Sequence, residues 1–248
     1  MGQLKISIIT VCYNAAGTLE RCIKSVISQS YNNIEYIVID GGSTDDSLTI
    51  INSFQHKINI LITEPDDGIY DAMNKGIALA TGDVVGMLNA DDVFAGEWVI
   101  SDIAAAFEKN NTDILYADLN YIKPDSIILR KWRSGAYKHG LFNKGWMPPH
   151  PTFYCKRNLF GLFGNYSLEY GTAADYELMV RFIHVNKASV FYLKKVVVNM
   201  FTGGVSNNSF AGRAKVLFLD LKAMRRNHIN YPIIALLYKR LKKIAQFF

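Results

Sequence analysis

Residues 35–47 read EYIVIDGGSTDDS, and this stretch decides the fold. Tyr36–Asp40 is a short, continuously apolar run rich in β-branched side chains, the pattern of a strand covered on both faces. It stops abruptly at Gly41-Gly42-Ser43. Thr44 then stands as the expected N-cap of a helix through Phe54, with Asp45 and Asp46 in its first turn, where carboxylates meet the positive end of the helix dipole. A buried strand breaking through glycines into a helix is one unit of an α/β sheet.

The same alternation continues on either side. Upstream, Lys5–Tyr13 is a second buried strand, followed by a helix over Ala16–Ser28 with Leu19, Ile23, Val26 and Ile27 at helical spacing. Downstream, strands are expected at Ile58–Thr63, Asp83–Asn89 and Asp113–Tyr121, and helices at Tyr70–Ala80 and Glu97–Lys109. That order predicts a mainly parallel sheet flanked by helices. Further on come a strand at Ile127–Trp132, an irregular stretch at Ser134–Thr152, a helix at Ala174–His184 and a strand at Val190–Phe201. A flexible loop is expected over 203–209, then two helical segments, Ala211–Asn227 and Pro232–Phe247.

Half of the 248 residues are apolar and the formal net charge is +5, which fits a globular chain and excludes disordered and collagen-like classes. No apolar run reaches the roughly 18 residues of a membrane-spanning helix, and the N-terminus shows no signal-peptide pattern. Three cysteines without CxxC spacing read as reduced thiols. The charge is unevenly placed. Residues 1–210 hold 18 basic and 21 acidic side chains, whereas residues 211–248 hold 9 basic and 1 acidic. A nucleic-acid partner is not expected, because the basic charge is confined to one end.

In open α/β sheets, ligands bind beyond the carboxyl ends of the strands. Here those ends carry Tyr13-Asn14, Asp40-Gly41-Gly42-Ser43, Asp66-Asp67-Gly68 and Asn89-Ala90-Asp91-Asp92. Asp, Asn and Gly are ordinary turn formers, so one such end says little. Four in succession point to a cation or a donor-rich ligand that offsets the repulsion among carboxylates. Neither GxGxxG nor GxxxxGK[ST] is present, so the dinucleotide and P-loop modes of holding phosphate are absent. An acidic edge would approach phosphate through Mg²⁺ or Mn²⁺, for which Asp91 and Asp92 are candidate ligands.

These segments carry a family resemblance. SIITVCYN, EYIVIDGGSTDDS, DGIYDAMNKGIALATGD, NADD, PHPTFYCKRNLF and GTAADYELMVRF occur in the order found in family 2 glycosyltransferases of the GT-A fold, and the chain most resembles bacterial enzymes of surface-polysaccharide synthesis. The resemblance covers Lys5–Phe201. It implies a catalytic domain over 1–210, with a nucleotide-sugar part near 1–122 and an acceptor part near 123–210, followed by a helical basic tail over 211–248. By position, Tyr13 would stack on the nucleotide base and Val11 would offer it backbone contacts. Asp40 would accept from a pyrimidine N–H, which favours a UDP-sugar donor, and Asp67 would lie near the base or ribose. Asn89 stands where many relatives carry the first Asp of the DxD signature; it would bind ribose, and Asp91, at the third position, would hold the metal with or without Asp92. Asp175 matches the general base that takes the acceptor hydroxyl proton in an inverting displacement. His150 would contact diphosphate, metal or acceptor.

The expected partners are therefore a nucleotide-sugar donor and a glycan acceptor, in one version linked to polyprenyl diphosphate. Residues 229–248 interleave Lys239, Arg240, Lys242 and Lys243 with Leu236, Leu237, Leu241, Ile244, Phe247 and Phe248, a pattern suited to an anionic membrane surface. A cytoplasmic protein, peripheral at the inner face of the cell membrane, follows as the expectation. Two other readings stay open: a sugar nucleotidyltransferase, disfavoured because Val11–Gly17 holds no cation, and a non-catalytic glycan- or membrane-binding subunit, disfavoured by the presence of both Asp91 and Asp175.

Overall fold

The computed structural model describes residues 3–123, 127–201, 210–244 and 246. The loop expected over 203–209 and the terminal Phe247 and Phe248 lie outside them. The elements in chain order are β1 (Ile6–Cys12), α1 (Ala16–Ile27), β2 (Ile34–Asp40), α2 (Ser47–Ser53), β3 (Ile60–Thr63), α3 (Ile69–Leu79), β4 (Val84–Met87), β5 (Asp92–Phe94), α4 (Val99–Asn110) and β6 (Ile114–Ile122). They continue with β7 (Ile128–Trp132), β8 (Tyr154–Lys156), α5 (Asn158–Phe163), α6 (Ala174–Met179, running into a π-helical turn at Val180–Val185), β9 (Val190–Phe201), α7 (Phe210–Arg226) and α8 (Pro232–Ile244).

One sheet runs in the order β3-β2-β1-β4-β8-β6-β9-β5, with β7 added on β6. The first four strands are mutually parallel. Strand β8 then enters antiparallel between β4 and β6, β5 pairs antiparallel with β9, and β6 and β9 are parallel. The sheet is thus parallel on the side read most clearly from the sequence and mixed beyond it. Strands β5 and β8 have three residues each, too short to carry a periodic signal.

The apolar runs of β1 and β2 are continuous because both faces are covered. Ile9, Val11, Ile37 and Ile39 pack with α3 and α6 residues such as Met73, Ile77 and Tyr176. Ile6, Ile8, Tyr36 and Val38 point the other way, onto Leu19, Ile23, Ile100 and Ile103 of α1 and α4. Each such fully buried branched side chain stabilises the fold by roughly 1.5–3 kcal/mol. Helix α2 begins at Ser47, not after Thr44. The Thr44 N–H is held by Asn14 Oδ1 at 2.8 Å, and Asp45 bridges two helices, accepting from Ser47 N–H at 2.9 Å and from Ala16 N–H at 3.0 Å. The acidic first turn expected for α2 thus serves in part to satisfy the start of α1.

Helices α7 and α8 pack into the same core: Ala223, Met224, Ala235 and Leu236 are buried in the cluster that holds Trp146 and Tyr176. At Gly145 the backbone of α8 comes so close that an added Cβ would lie 2.3 Å from Ala235 O and from Lys239 N. That glycine also has φ +64°, in the left-handed region. Lys239 Nζ sits 3.8 Å from the Tyr176 ring centroid, tying α8 to α6. Among the described residues, α7 and α8 are distinct in charge but share the core of the sheet's helices.

Candidate active site

The parallel strands deliver their carboxyl ends to one edge. At the end of β1, Val11 is buried in register with Ile39, while Tyr13 is 63 % exposed, its ring offered to solvent above the edge. At the end of β2, Asp40 is fully buried. One oxygen accepts from Ser43 Oγ at 2.5 Å and from Cys12 Sγ at 3.6 Å; the other accepts from the N–H groups of Gly42 and Ser43. Both oxygens are therefore engaged in holding the turn. Burial, and then the charge of Asp40, push the Cys12 thiol well above its ordinary pKa, so that cysteine stays protonated.

Gly41 has no room for a side chain: an added Cβ would lie 2.4 Å from Asp66 Oδ2 and 3.5 Å from the Tyr13 ring. The Tyr13 ring and the Asp66 carboxylate thus both lie close against the Gly41 backbone at this edge. Asp66 Oδ1 accepts from Gly68 N–H at 2.8 Å, fixing the turn after β3. Asp67, expected near the base or ribose, is exposed in the same turn, and Asp66 is the carboxylate against Gly41. Turn residues at adjacent positions give no sequence signal of which one faces the edge.

The segment DGIYDAMNKG fastens this turn and joins the two halves of the sheet. Lys75 pairs with Glu64 at 2.9 Å and Asp71 at 3.4 Å and donates to Pro65 O at 2.8 Å, so it braces the β3–α3 loop. Asn74 Nδ2 donates to Tyr166 O at 2.9 Å while Asn74 Oδ1 accepts from Tyr166 N–H at 3.0 Å. The Tyr70 ring packs on Tyr166 at 5.3 Å, and its hydroxyl sits against Asp175.

Beyond β4, Asn89–Asp92 forms a tight turn closed by Asp92 N–H to Asn89 O at 2.9 Å. The turn sorts its two carboxylates. Asp91 is half-buried, and its charge is felt by His150. Asp92 is fully buried at the start of β5, and neither of its oxygens has a hydrogen-bond partner. Burial, reinforced by the charge of Asp91, drives its pKa well above the usual carboxylate range despite Arg21 nearby, so Asp92 is held protonated.

Three elements then converge. Asn89 Nδ2 lies 3.1 Å from His150 Nε2, and His150 Nδ1 lies 3.5 Å from Asp175 Oδ2. His150 is held by the Pro149–Pro151 turn, and its pKa is lowered by burial against the opposing charges of Asp175 and Asp91. With Asn89 donating, the neutral ring carries its proton on Nδ1, toward Asp175. Asp175 lies in the first turn of α6, where Oδ1 accepts from Tyr176 N–H at 2.6 Å and leaves Oδ2 for the site. Its neighbour Glu177 does structural work instead, paired with Arg181 at 3.0 Å, while Arg181 also binds the carbonyls of Phe163, Gly164 and Asn165.

His150 and Asp175 open into a cavity of about 680 Å³ between β7, the 134–147 stretch and α8. Trp132, Trp146 and Tyr121 give it apolar walls. Tyr13, Asp40, Asp66, Asn89 and Asp91 do not line it. The site therefore has two sides, meeting at His150 and Asp175.

A divalent cation fits the strand-end side in its donor chemistry. Both ring nitrogens of His150 are engaged by Asn89 and Asp175, which leaves the Asp91 carboxylate and the partnerless buried Asn89 Oδ1 as donors. Such a set suits Mn²⁺ or Mg²⁺ completed by water and phosphate oxygens. No group of three or more His, Cys, Asp or Glu among the described residues is arranged to hold a metal by itself.

Parallel strands ending in acidic turns, backed by a mixed half-sheet, give this chain the GT-A fold. The Glycosyl transferase family 2 sequence model matches residues 7–168, and the chain belongs to that family. It is 34 % identical to a PGL/p-HBAD biosynthesis glycosyltransferase of Mycobacterium bovis, over 84 % of this chain and 81 % of that one. It is 32 % identical to an uncharacterized glycosyltransferase of Mycobacterium tuberculosis, over 92 % of this chain and 85 % of the relative. Among solved structures, S. aureus TarS 1–349 in complex with UDP-GlcNAc superposes with a TM-score of 0.71 at 16 % identity, covering 92 % of this chain and 67 % of that one. The mannosyltransferase PcManGT from Pyrobaculum calidifontis, in complex with GDP-Man and Mn²⁺, gives 0.68 at 16 % identity, covering 97 % and 70 %. At those identities the likeness is one of fold.

Proposed function

We propose that this family 2 glycosyltransferase moves a sugar from a UDP-sugar to a hydroxyl of a glycan acceptor in cell-surface glycan synthesis, by a single displacement that depends on Mn²⁺ or Mg²⁺. The observation that carries the reading is the continuous contact Asn89–His150–Asp175, which joins the strand-end edge to the acceptor-side cavity. On the donor side, the Tyr13 ring stacks on the base and Asp66 meets the pyrimidine N–H, while Asp40 acts through the turn it holds. Val11 contributes backbone contacts to the base, Asn89 reaches ribose, and Asp67 lies near the base or ribose. Asp91 and the Asn89 side-chain oxygen would hold the cation, with His150 beside them and buried Asp92 shaping the turn beneath. When bound, the metal offsets negative charge growing on the departing diphosphate.

Asp175 Oδ2 takes the acceptor hydroxyl proton as that oxygen attacks the anomeric carbon; its other oxygen is fixed by the α6 backbone, and His150 Nδ1 keeps it aimed. The apolar residues Ile233, Ile234, Leu237, Tyr238 and Leu241 of α8 are exposed, as is Phe218 of α7. That outward apolar face supports docking at a membrane surface, where a lipid-linked acceptor would be presented. No helix among the described residues is long and apolar enough to cross a membrane.

The test is a panel of UDP- and GDP-sugars scored by thermal stabilisation with Mn²⁺ and with chelator. UDP or one UDP-sugar should stabilise the protein by about 2.7 kcal/mol at a hundred times its Kd, only with metal. Stabilisation by no nucleotide, or by GDP alone, rejects the UDP reading.

A further inference from the structure

The first turn of α6 presents three consecutive side chains, each to a different neighbour. Asp175 Oδ2 faces His150, the Tyr176 ring lies under the Lys239 ammonium at 3.8 Å, and Glu177 is gripped by Arg181 at 3.0 Å and by Asn227 Nδ2 at 3.3 Å. Lys239 belongs to α8, and Asn227 follows directly on α7. The C-terminal helices therefore reach the turn that carries the carboxylate, although they lie outside residues 7–168, the span that matches the family model.

Lys239 is buried together with the acid it meets. Asp220 of α7 accepts from it at 2.7 Å, and the two side chains are only 10 % and 5 % exposed. Arg240 makes a longer contact of 3.4 Å with the same carboxylate. A buried ion pair contributes little to stability, because lost hydration offsets most of the attraction. What it supplies here is direction: an ammonium fixed on a carboxylate meets a ring face at one place, whereas apolar packing lets a ring slide. The other end of the lysine is fixed too, since its backbone N lies against Gly145, where no Cβ has room. The Tyr176 hydroxyl is buried without a hydrogen-bond partner among the described residues, so the ring has no polar anchor of its own. Its place is left to Lys239 on one face and to the edge of Phe142, 6.2 Å away between centroids.

Tyr176 in turn sets Asp175. Its N–H donates to Asp175 Oδ1 at 2.6 Å, so a shift of Tyr176 turns the carboxylate and changes the 3.5 Å approach of Oδ2 to His150. Misplacing a reacting group by about 1 Å costs on the order of 10²-fold in rate. We infer that Lys239 is a positioning residue for the transfer reaction: anchored on Asp220, it holds the Tyr176 ring and, through it, the orientation of Asp175. The inference rests on Asp175 being the base, and it gives part of the basic C-terminal segment a task inside the enzyme.

The test compares the full-length parent with D220N/K239M, which removes both charges at nearly constant volume and leaves no buried carboxylate unpaired. Turnover is read as UDP release in Mn²⁺ from UDP-glucose, UDP-galactose and UDP-GlcNAc, with water as the acceptor. The double variant should keep the parent's thermal midpoint or exceed it, lose at least about ten-fold in kcat and hold its donor KM within about two-fold. K239R, which keeps a cation at the ring, should retain kcat within about three-fold. Amide exchange over residues 175–178 should be at least about ten-fold faster in D220N/K239M, with the β1–β4 amides within about two-fold. Failure of the double variant to fold, unchanged kcat, a loss confined to donor KM, an equal loss in K239R, or unchanged exchange in the α6 turn marks a packing role and overturns the inference. If the parent releases UDP from none of the three donors, the transfer reading fails for them, and the exchange measurement alone decides whether Lys239 sets the turn.

Discussion

His150 Nδ1 faces Asp175 Oδ2 across 3.5 Å, although Pro149–Pro151 and the first turn of α6 are far apart in sequence. The contact gives the carboxylate a fixed direction without covering it, since Asp175 still lines the cavity. As the base, Asp175 should be needed for the chemical step and little needed for donor binding. Asp175→Asn is therefore expected to lower kcat by at least about 10²-fold with UDP affinity within two-fold. Calorimetry with UDP and Mn²⁺ beside a turnover assay checks this; full turnover removes Asp175 from the role.

Asp91 and Asp92 should separate cleanly. Asp91→Ala is expected to weaken UDP binding in Mn²⁺ by at least about ten-fold and to change it little in chelator, whereas Asp92→Asn should leave both unchanged. Asp92 acts on stability instead. A carboxyl whose folded pKa is raised stabilises most below the unfolded value of 3.8 and loses that contribution as pH rises. The thermal midpoint of Asp92→Asn relative to the parent should therefore climb between pH 4 and pH 8. A difference that is flat with pH argues against a buried, protonated Asp92.

Glu35 is expected to show the opposite slope. Burial alone would raise its pKa, but hydrogen bonds from Lys5, Ser7 and Thr81 outweigh it and bring the group down to about 2. Its contribution, about 3 kcal/mol from that shift, is present above the unfolded value near 4.5 and lost as pH falls toward 2. Glu35→Gln should destabilise the protein at pH 7 and flatten its acid limb in urea melts recorded from pH 6 to pH 2.5.

Gly145 should be intolerant of a side chain. Gly145→Ala would set a methyl group against the α8 backbone at a left-handed position, at a cost of about 2 kcal/mol or more. Faster amide exchange across α8 with the β1–β4 amides unchanged is the expected signature. Uniform exchange would show that α8 and the sheet open together.

The sequence made the parallel half of the sheet legible because strands buried on both faces leave unbroken apolar runs, and glycine turns mark their ends. The antiparallel insertions β5 and β8 were not legible, because three-residue strands owe their place to tertiary pairing. The site residues were legible as types at strand ends. How two adjacent turn carboxylates divide was not: Asp66 lies against Gly41 while Asp67 is exposed, and Asp91 is half-buried while Asp92 is fully buried. The basic segment showed its charge but not its direction. Helical periodicity separates the charged from the apolar side of α8, yet only packing at Gly145 and Tyr176 turns the charged side inward.

The paired hydrogen bonds between Asn74 and Tyr166 have a consequence for selectivity. They anchor the backbone that leads into α6 to the helix that follows the Asp66–Gly68 turn, so the span from Asp66 to Asp175 is set when the chain folds. On the proposed reading the enzyme would work as a gauge of fixed length, admitting an acceptor by whether its hydroxyl reaches the donor from Asp175.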